Sequence, residues 1–489
     1  MIFKVSQDRV VDNPTVEKLW EMSREFSIPN NLGLPLFHSK IKSRSAKFTR
    51  NYNLDDSEAQ KYVREVQEFV DFHKMIRVDS KVGDDCGCTF KVSLFVSEKY
   101  PQLAYMFKTN LFESDGHELD QINIFTIPEY SERKILVFPK EATEVILGSD
   151  YYGETKMAAL RLAMYLARER HNHLGLHAGS KAYTLKCGGD VKRFGVLIFG
   201  LSGTGKTTLT CATHGLETPE TVEIVQDDIN FMNFEANAFG SERNFYVKTD
   251  SISSQPLLLS AVKESGAILE NVYVSQNGEV DFDNMSVSTN GRAVLPRSHI
   301  PFHSSTYNLG NVNTIFFNTR RDDIPPILRV DGAEKAAAVF GLGESTITSA
   351  DDPSKVGQSV RTVGFNPFIV ENPAKEINAF KEVLKGKNFQ AFVINTGWIG
   401  GRKKENKITP QDTFNFVEDA LRGNIKFEDD PITGFGIPVS SSRRDISKFD
   451  PMNFYSKDEY VEKMSSLREE RKAFLESIGG VDKDIVDAI

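Results

Sequence analysis

A short apolar run, Phe194–Phe199, leads straight into Gly200-Leu201-Ser202-Gly203-Thr204-Gly205-Lys206-Thr207, and no other stretch restricts the fold as much. The run has the length and continuity of a buried strand. The eight residues after it fit the spacing G-x-x-x-x-G-K-[ST]. Thr207–Ala212, which includes Thr208, continues with helical character. Glycines let successive backbone N–H groups turn toward an anion, and the helix that follows presents its positive end to the same charge. Strand, glycine loop and helix in that order imply an α/β fold with a phosphate cradle. In such a cradle Lys206 reaches the outer phosphates of a nucleoside triphosphate, and the Thr207 hydroxyl ligates its Mg²⁺.

A hard cation bound to triphosphate oxygens needs anionic ligands. Thr221–Gln226 reads as a second apolar strand, and it delivers Asp227 and Asp228 at its end. Hydrophobic residues make up 40% of the chain and charged residues 26%, which is globular composition. At 489 residues, two to three domains or two large lobes are expected. Lys and Arg number 59 against 68 Asp and Glu, a net charge of −9, so the overall field favours neither nucleic acid nor an anionic membrane surface. No apolar run approaches a membrane span, and the N-terminus lacks the apolar stretch of a signal peptide. The cytoplasm is therefore the expected location. The four cysteines, Cys86, Cys88, Cys187 and Cys211, do not make a disulfide framework in a chain this long, and no second pair completes a metal site with Cys86 and Cys88.

Along the chain, Asn13-Pro14 is expected to cap a helix running to about Phe26. A second helix follows Asp55-Asp56, with Tyr62, Val63, Val66, Phe69 and Val70 on one side. Thr89–Ser97 and Lys134–Pro139 read as strands, and Glu154–Glu169 as a long helix. Two further strands are expected at Leu174–His177 and Lys181–Leu185, ahead of a turn at Cys187–Asp190 where the lobe boundary is placed. Residues 222–330 look mainly β, Ala391–Ile394 is a strand, and Ser456–Ile478 is a charged amphipathic helix.

The loop with its flanks, Phe199–Leu209, closely resembles the phosphate loop of ATP-dependent phosphoenolpyruvate carboxykinases. Other segments agree in the same order: Tyr246–Thr249, Ile268–Val272, Ile324–Arg329, Asn395-Thr396-Gly397-Trp398 with Gly400, and Asp450-Pro451 before the terminal helix. The resemblance implies two mixed α/β lobes with the site between them. Residues 1–189 would form the substrate-side lobe and residues 190–489 the nucleotide-binding lobe that carries the P-loop. It also implies a small-molecule reaction, the reversible conversion of oxaloacetate and ATP to phosphoenolpyruvate, ADP and CO₂. Mg²⁺ would accompany the nucleotide, and a second divalent ion, usually Mn²⁺, the substrate.

Planar guanidinium groups suit a dicarboxylate. Arg44, in Ser43–Lys47, resembles the family's substrate arginine, and Arg329 resembles a second arginine placed between substrate and γ-phosphate. Tyr151 lies where a family tyrosine contacts the substrate. His177 and Asp228, with Asp227 beside it, resemble metal ligands. Gly200–Thr208, Glu270, Lys407 and Thr413 are the implied nucleotide positions. Lys156 belongs to what is a lysine pair in the family, but Met157 follows it here. Asp227-Asp228 continue into the more apolar Ile229-Asn230-Phe231-Met232, and Phe340–Thr348 is only loosely similar to the family's lid. A kinase with another acceptor and a nucleotide sensor are the alternative functions for this scaffold. The oligomeric state is not legible in the sequence.

Overall fold

The computed structural model describes residues 2–43, 46–84, 87–250, 252–347 and 358–489. Arg44, Cys86 and Thr348 lie outside the described residues. By contacts the chain divides into two compact units. Unit 1 comprises Met1–Gly175, Phe239–Tyr307 and Phe368–Glu371, and unit 2 comprises Leu176–Ala238, Asn308–Pro367 and Asn372–Ile489.

In unit 1, helix α1 (Val16–Ser23) starts later than Asn13-Pro14 suggests. The Thr15 hydroxyl accepts from the Lys18 N–H at 3.2 Å and so takes the capping position itself. Helix α2 (Ser57–Phe72) buries Ala59, Tyr62, Val66 and Val70, one stripe of a 3.6-residue period. Strands β1 (Met75–Val82), β2 (Phe90–Ser97), β3 (Asp120–Ile127), β4 (Lys134–Phe138) and β5 (Thr143–Leu147) form the centre of an eight-stranded mixed sheet. Phe95 on β2 and Phe125 on β3 stack with ring centroids 4.7 Å apart, inside the core beneath α2. Helix α3 (Tyr152–His171) is buried around nearly its whole circumference and stops at Asn172, which takes a left-handed conformation (φ 53°, ψ 42°). A smaller four-stranded sheet pairs Ile268–Glu270 with Arg292–Leu295, setting Glu270 opposite Arg292.

Unit 2 is built on β6 (His173–Cys187), β7 (Asp190–Gly200), β8 (Thr221–Gln226), β9 (Thr314–Thr319), β10 (Ile327–Val330) and β11 (Gln390–Asn395). The order is β6-β7-β9-β11-β10, with β8 on the other side of β6. Strands β7, β9 and β11 run parallel, so their C-terminal ends share one edge, with Gly200 opposite Asn318 and Thr319 opposite Asn395. The two strands expected between Leu174 and Leu185 are one continuous strand. Its pairing with β7 runs unbroken from Ala178 to Cys187, and the irregularity at Ser180/Lys181 falls only on the β8 side.

The boundary expected after residue 189 therefore lies inside a hairpin. Gly188 and Gly189, both at positive φ, turn β6 directly into β7. A tight turn is a local signal and does not distinguish a hairpin from a domain junction. Helix α4 (Lys206–Cys211) and helix α5 (Pro410–Leu421) pack on this sheet, where Leu209, Phe416 and Val417 share one core with Val196, Ile198, Phe316 and Phe392. Helix α6 (Lys457–Ile478) opens with a reciprocal Ser456/Glu459 capping box. Among the described residues no helix is long and apolar enough to cross a membrane. Cys88, Cys187 and Cys211 are buried.

Candidate functional site: a glycine loop with a converging His, Asp and Lys

Strand β7 ends at Gly200 because the chain must turn against its neighbours there. A Cβ on Gly200 would lie 2.3 Å from Thr204 Oγ1 and 3.1 Å from Asn318 Cβ. Gly203 (φ +78°) and Gly205 (φ +87°) take backbone conformations that side chains disfavour. Thr204 is buried, and its hydroxyl donates to the Leu201 carbonyl at 2.8 Å. Thr396, from the Asn395–Trp398 segment beyond β11, donates its hydroxyl to the Thr204 carbonyl at 2.9 Å. The loop is thus braced from inside and from the adjacent strand, while Ser202 and Gly203 stay exposed.

Helix α4 sits directly on β6, since a Cβ on Gly179 would lie 2.0 Å from Thr210 Oγ1. The buried Lys181 ammonium donates to the Leu209 carbonyl at 3.1 Å and to the Ala212 carbonyl, covering the otherwise open end of α4. Burial lowers the Lys181 pKa to about 7.

Three side chains meet beside this loop. Lys206 Nζ donates to Asp228 Oδ1 and to the Asp227 carbonyl, each at 3.2 Å. His177 Nε2 lies 3.1 Å from the same Asp228 Oδ1. The other ring nitrogen, Nδ1, is 2.6 Å from the Phe365 carbonyl. A carbonyl can only accept, so Nδ1 carries a proton and donates it. Burial pushes the His177 imidazole below its ordinary pKa, Lys206 pushes the same way, and Asp228 opposes them. Nε2 and the Asp228 carboxylate oxygen lie 3.1 Å apart, which sets an imidazole nitrogen and a carboxylate at one point. A divalent cation satisfies that pairing, with the Phe365 carbonyl fixing the tautomer. The donor set fits a metal, although among the described residues no third His, Cys, Asp or Glu joins these two. Thr207 stands next to Lys206 on the first turn of α4, half-buried.

The remaining expected residues are divided between the two units. In unit 1, Tyr151 is buried, and its hydroxyl accepts from Asn290 Nδ2 at 2.9 Å. Asn290 Oδ1 accepts from Arg292 Nη2, and Lys42 Nζ donates to Asn271 Oδ1, both at 2.9 Å. Asn290 is legible in the sequence only as a turn residue, and Lys42 and Arg292 carry no motif. Glu270 is an interior anchor. Its carboxylate accepts from the Tyr152 N–H at 2.8 Å and from the Tyr246 hydroxyl at 2.6 Å, and burial raises its pKa to about 7. Lys156 is 1% exposed and forms an ion pair with the equally buried Glu242, at 2.9 and 3.0 Å to its two oxygens. Met157, also buried, offers only a thioether, which suits a hard divalent ion poorly.

In unit 2, Arg329 lies on β10, three strands from the loop strand, opposite Phe392 and therefore back from the loop edge. Its guanidinium is paired with Asp331 and Asp429, each at 2.8 Å, rather than turned toward the loop. The exposed Lys407 bridges to Trp398, and the Thr413 hydroxyl bonds back to the Thr409 carbonyl within α5. Arg320, which no motif marks, does approach the loop. Its Nη1 lies 3.8 Å from where a Gly203 Cβ would stand.

Residues 39–446 match the phosphoenolpyruvate carboxykinase family. A protein of Aeropyrum pernix named phosphoenolpyruvate carboxykinase (ATP) is 36% identical over 461 residues, 94% of this chain and 93% of that protein. Proteins of the same name from Staphylococcus haemolyticus and Rhizobium etli are each 29% identical, over 67% and 66% of this chain and 60% of their own lengths.

Proposed function

This chain belongs to the ATP-dependent phosphoenolpyruvate carboxykinase family, and from that premise we propose that it converts oxaloacetate and ATP to phosphoenolpyruvate, ADP and CO₂. The observation that carries the reading is the convergence of Lys206 and His177 on one oxygen of Asp228, beside a glycine loop braced by Thr396. Loss of CO₂ leaves the bonding electrons of the broken C–C bond in an enolate. The enolate oxygen attacks the γ-phosphorus, and the bond from that phosphorus to the bridging oxygen of ADP breaks. Such a transfer needs in-line positioning and charge neutralisation more than covalent help from the protein.

The backbone amides of Gly200–Gly205 hold the phosphates, and Lys206 neutralises their charge. Thr207 would ligate the nucleotide's Mg²⁺. His177 and Asp228, with Asp227 adjacent in sequence, would hold the second ion, Mn²⁺. A divalent ion there supplies stabilisation of the developing enolate charge. Tyr151 with Arg44 contacts the dicarboxylate, and Lys407 and Thr413 border the nucleotide. Arg329 is tested for the second arginine role: an Arg329→Ala variant that loses turnover but keeps nucleotide binding holds that role, and an unchanged rate removes it. The protein works in the cytoplasm.

The deciding experiment is a coupled assay for phosphoenolpyruvate with ATP, Mg²⁺, Mn²⁺ and oxaloacetate. Product that disappears in Lys206→Ala is the expected result. Absence of product from wild-type protein that still binds ATP would overturn the reaction and turn the scaffold to another acceptor.

A further inference from the structure

Asn290 ties three groups of unit 1 together, and their chemistry leaves its amide one orientation. The two hydrogens of Nδ2 go to the Lys42 carbonyl at 2.8 Å and to the Tyr151 hydroxyl oxygen at 2.9 Å. Oδ1 accepts from Arg292 Nη2 at 2.9 Å. A carbonyl can only accept and a guanidinium can only donate. A flipped amide would therefore set an oxygen against the Lys42 carbonyl and an NH₂ against Arg292, losing both bonds. Tyr151 thus faces a donor and takes that bond on its oxygen. Its own proton is turned away from Asn290, and among the described residues no acceptor is bonded to it.

The groups around Asn290 are fixed independently of it. The Lys40 and Ile41 N–H groups donate to the two oxygens of Asp150, at 2.7 and 3.0 Å, one residue before Tyr151. Buried Asn271 accepts from the Ser39 N–H and from Lys42 Nζ, both at 2.9 Å, and donates to the Ser39 hydroxyl at 2.8 Å. The Lys42 carbonyl is thus a fixed acceptor at the end of a clamped segment. The Tyr151 ring is buried against the first turn of α3, where a Cβ on Gly153 would lie 2.5 Å from it. With the ring held, what remains free is rotation of the O–H about its C–O bond, and the amide of Asn290 sets that rotation.

From this geometry we propose that Asn290 is a positioning residue for the reaction: by donating to the Tyr151 oxygen, it turns the phenolic proton toward a carboxylate oxygen of the substrate. The inference rests on the reading above that Tyr151 contacts the dicarboxylate. A hydroxyl that accepts from an amide while donating to a carboxylate is the better donor, because each bond polarises the other. Bonds to a charged acceptor are also the stronger class. The residue type matters here. In Asn290→Asp the carboxylate would accept from the hydroxyl and draw its proton inward, while Asn290→Leu would leave the O–H rotor unset.

The test is a double-mutant cycle on the full chain, read as KM for oxaloacetate, kcat and ATP affinity. Tyr151→Phe, which lacks the proton, should raise KM about tenfold. Asn290→Asp should raise it at least as much and Asn290→Leu less, with kcat and ATP affinity within about threefold of wild type. In the Tyr151→Phe background, Asn290→Asp should add less than about twofold, because no proton is left to misdirect. A merely structural role would multiply with Tyr151→Phe instead. That multiplication, or an Asn290→Asp KM within about twofold of wild type, would overturn the proposal while leaving Tyr151 on the substrate. A wild-type KM in Tyr151→Phe, or no turnover of oxaloacetate by the wild type, would overturn both.

Discussion

Replacing Lys156 by Met tests whether its amine is free to serve a metal or is committed to Glu242. Both side chains are 1% exposed, and the ammonium reaches both carboxylate oxygens, at 2.9 and 3.0 Å. Asn110 Nδ2 adds a bond to Glu242 Oε1 at 2.7 Å, so the carboxylate is held in place when the lysine is gone. Removing one member of a buried pair leaves a charge in a low-dielectric site, which costs about 3–5 kcal/mol. For a domain of this size that corresponds to a fall of roughly 6–20 °C in melting temperature. Calorimetry on Lys156→Met, Glu242→Gln and the double variant closes the cycle. The double variant should recover part of the loss, because the stranded charge is no longer there. A melting temperature for Lys156→Met within about 2 °C of wild type would refute the buried-pair argument. So would a double variant no more stable than the single ones.

Glu270→Gln should change the pH dependence of stability rather than nucleotide affinity. The raised pKa of about 7 means that the folded protein holds a proton between pH ~4.5 and 7 that the unfolded chain has released, so stability falls across that window. Glu270's share of the fall is about 3 kcal/mol and should be missing from the variant, measured by urea unfolding at stepped pH. Gly200→Ala forces a methyl within 2.3 Å of Thr204 Oγ1. The resulting distortion of the loop, on the order of 1–3 kcal/mol, should weaken ATP binding roughly tenfold or more by calorimetric titration. Asp228→Asn removes the carboxylate that His177 and Lys206 share. The Mn²⁺ concentration for half-maximal binding, read by paramagnetic relaxation, should rise roughly tenfold or more, and no change would remove Asp228 from the metal site.

Features carried by neighbouring residues are legible in the amino-acid order alone. Strand, loop and helix around Gly200–Thr207 form as the spacing requires, because glycine freedom and a following helical segment are local properties. The stripe of α2 and the Ser456 cap of α6 are local in the same sense. Asp228 and His177 can each be matched to a motif, yet their meeting needs β6 to carry His177 and the end of β8 to carry Asp228, two strands paired antiparallel. The helix start at Thr15 and the unbroken strand through Ala178 depart from the local reading, because a side-chain hydroxyl and a neighbouring strand outweigh local propensity there.

By itself, the amino-acid order determined that this chain builds a glycine loop between a buried strand and a helix, and that it belongs with the phosphoenolpyruvate carboxykinases. Only the tertiary structure decided which charged residues meet beside that loop and which are spent on each other. Lys156 meets Glu242 across 86 positions, and Arg329 meets Asp429 across 100. A loop's shape depends on the torsions of a few adjacent residues, whereas the partner of a buried charge is whatever the folded chain sets within about 3 Å of it.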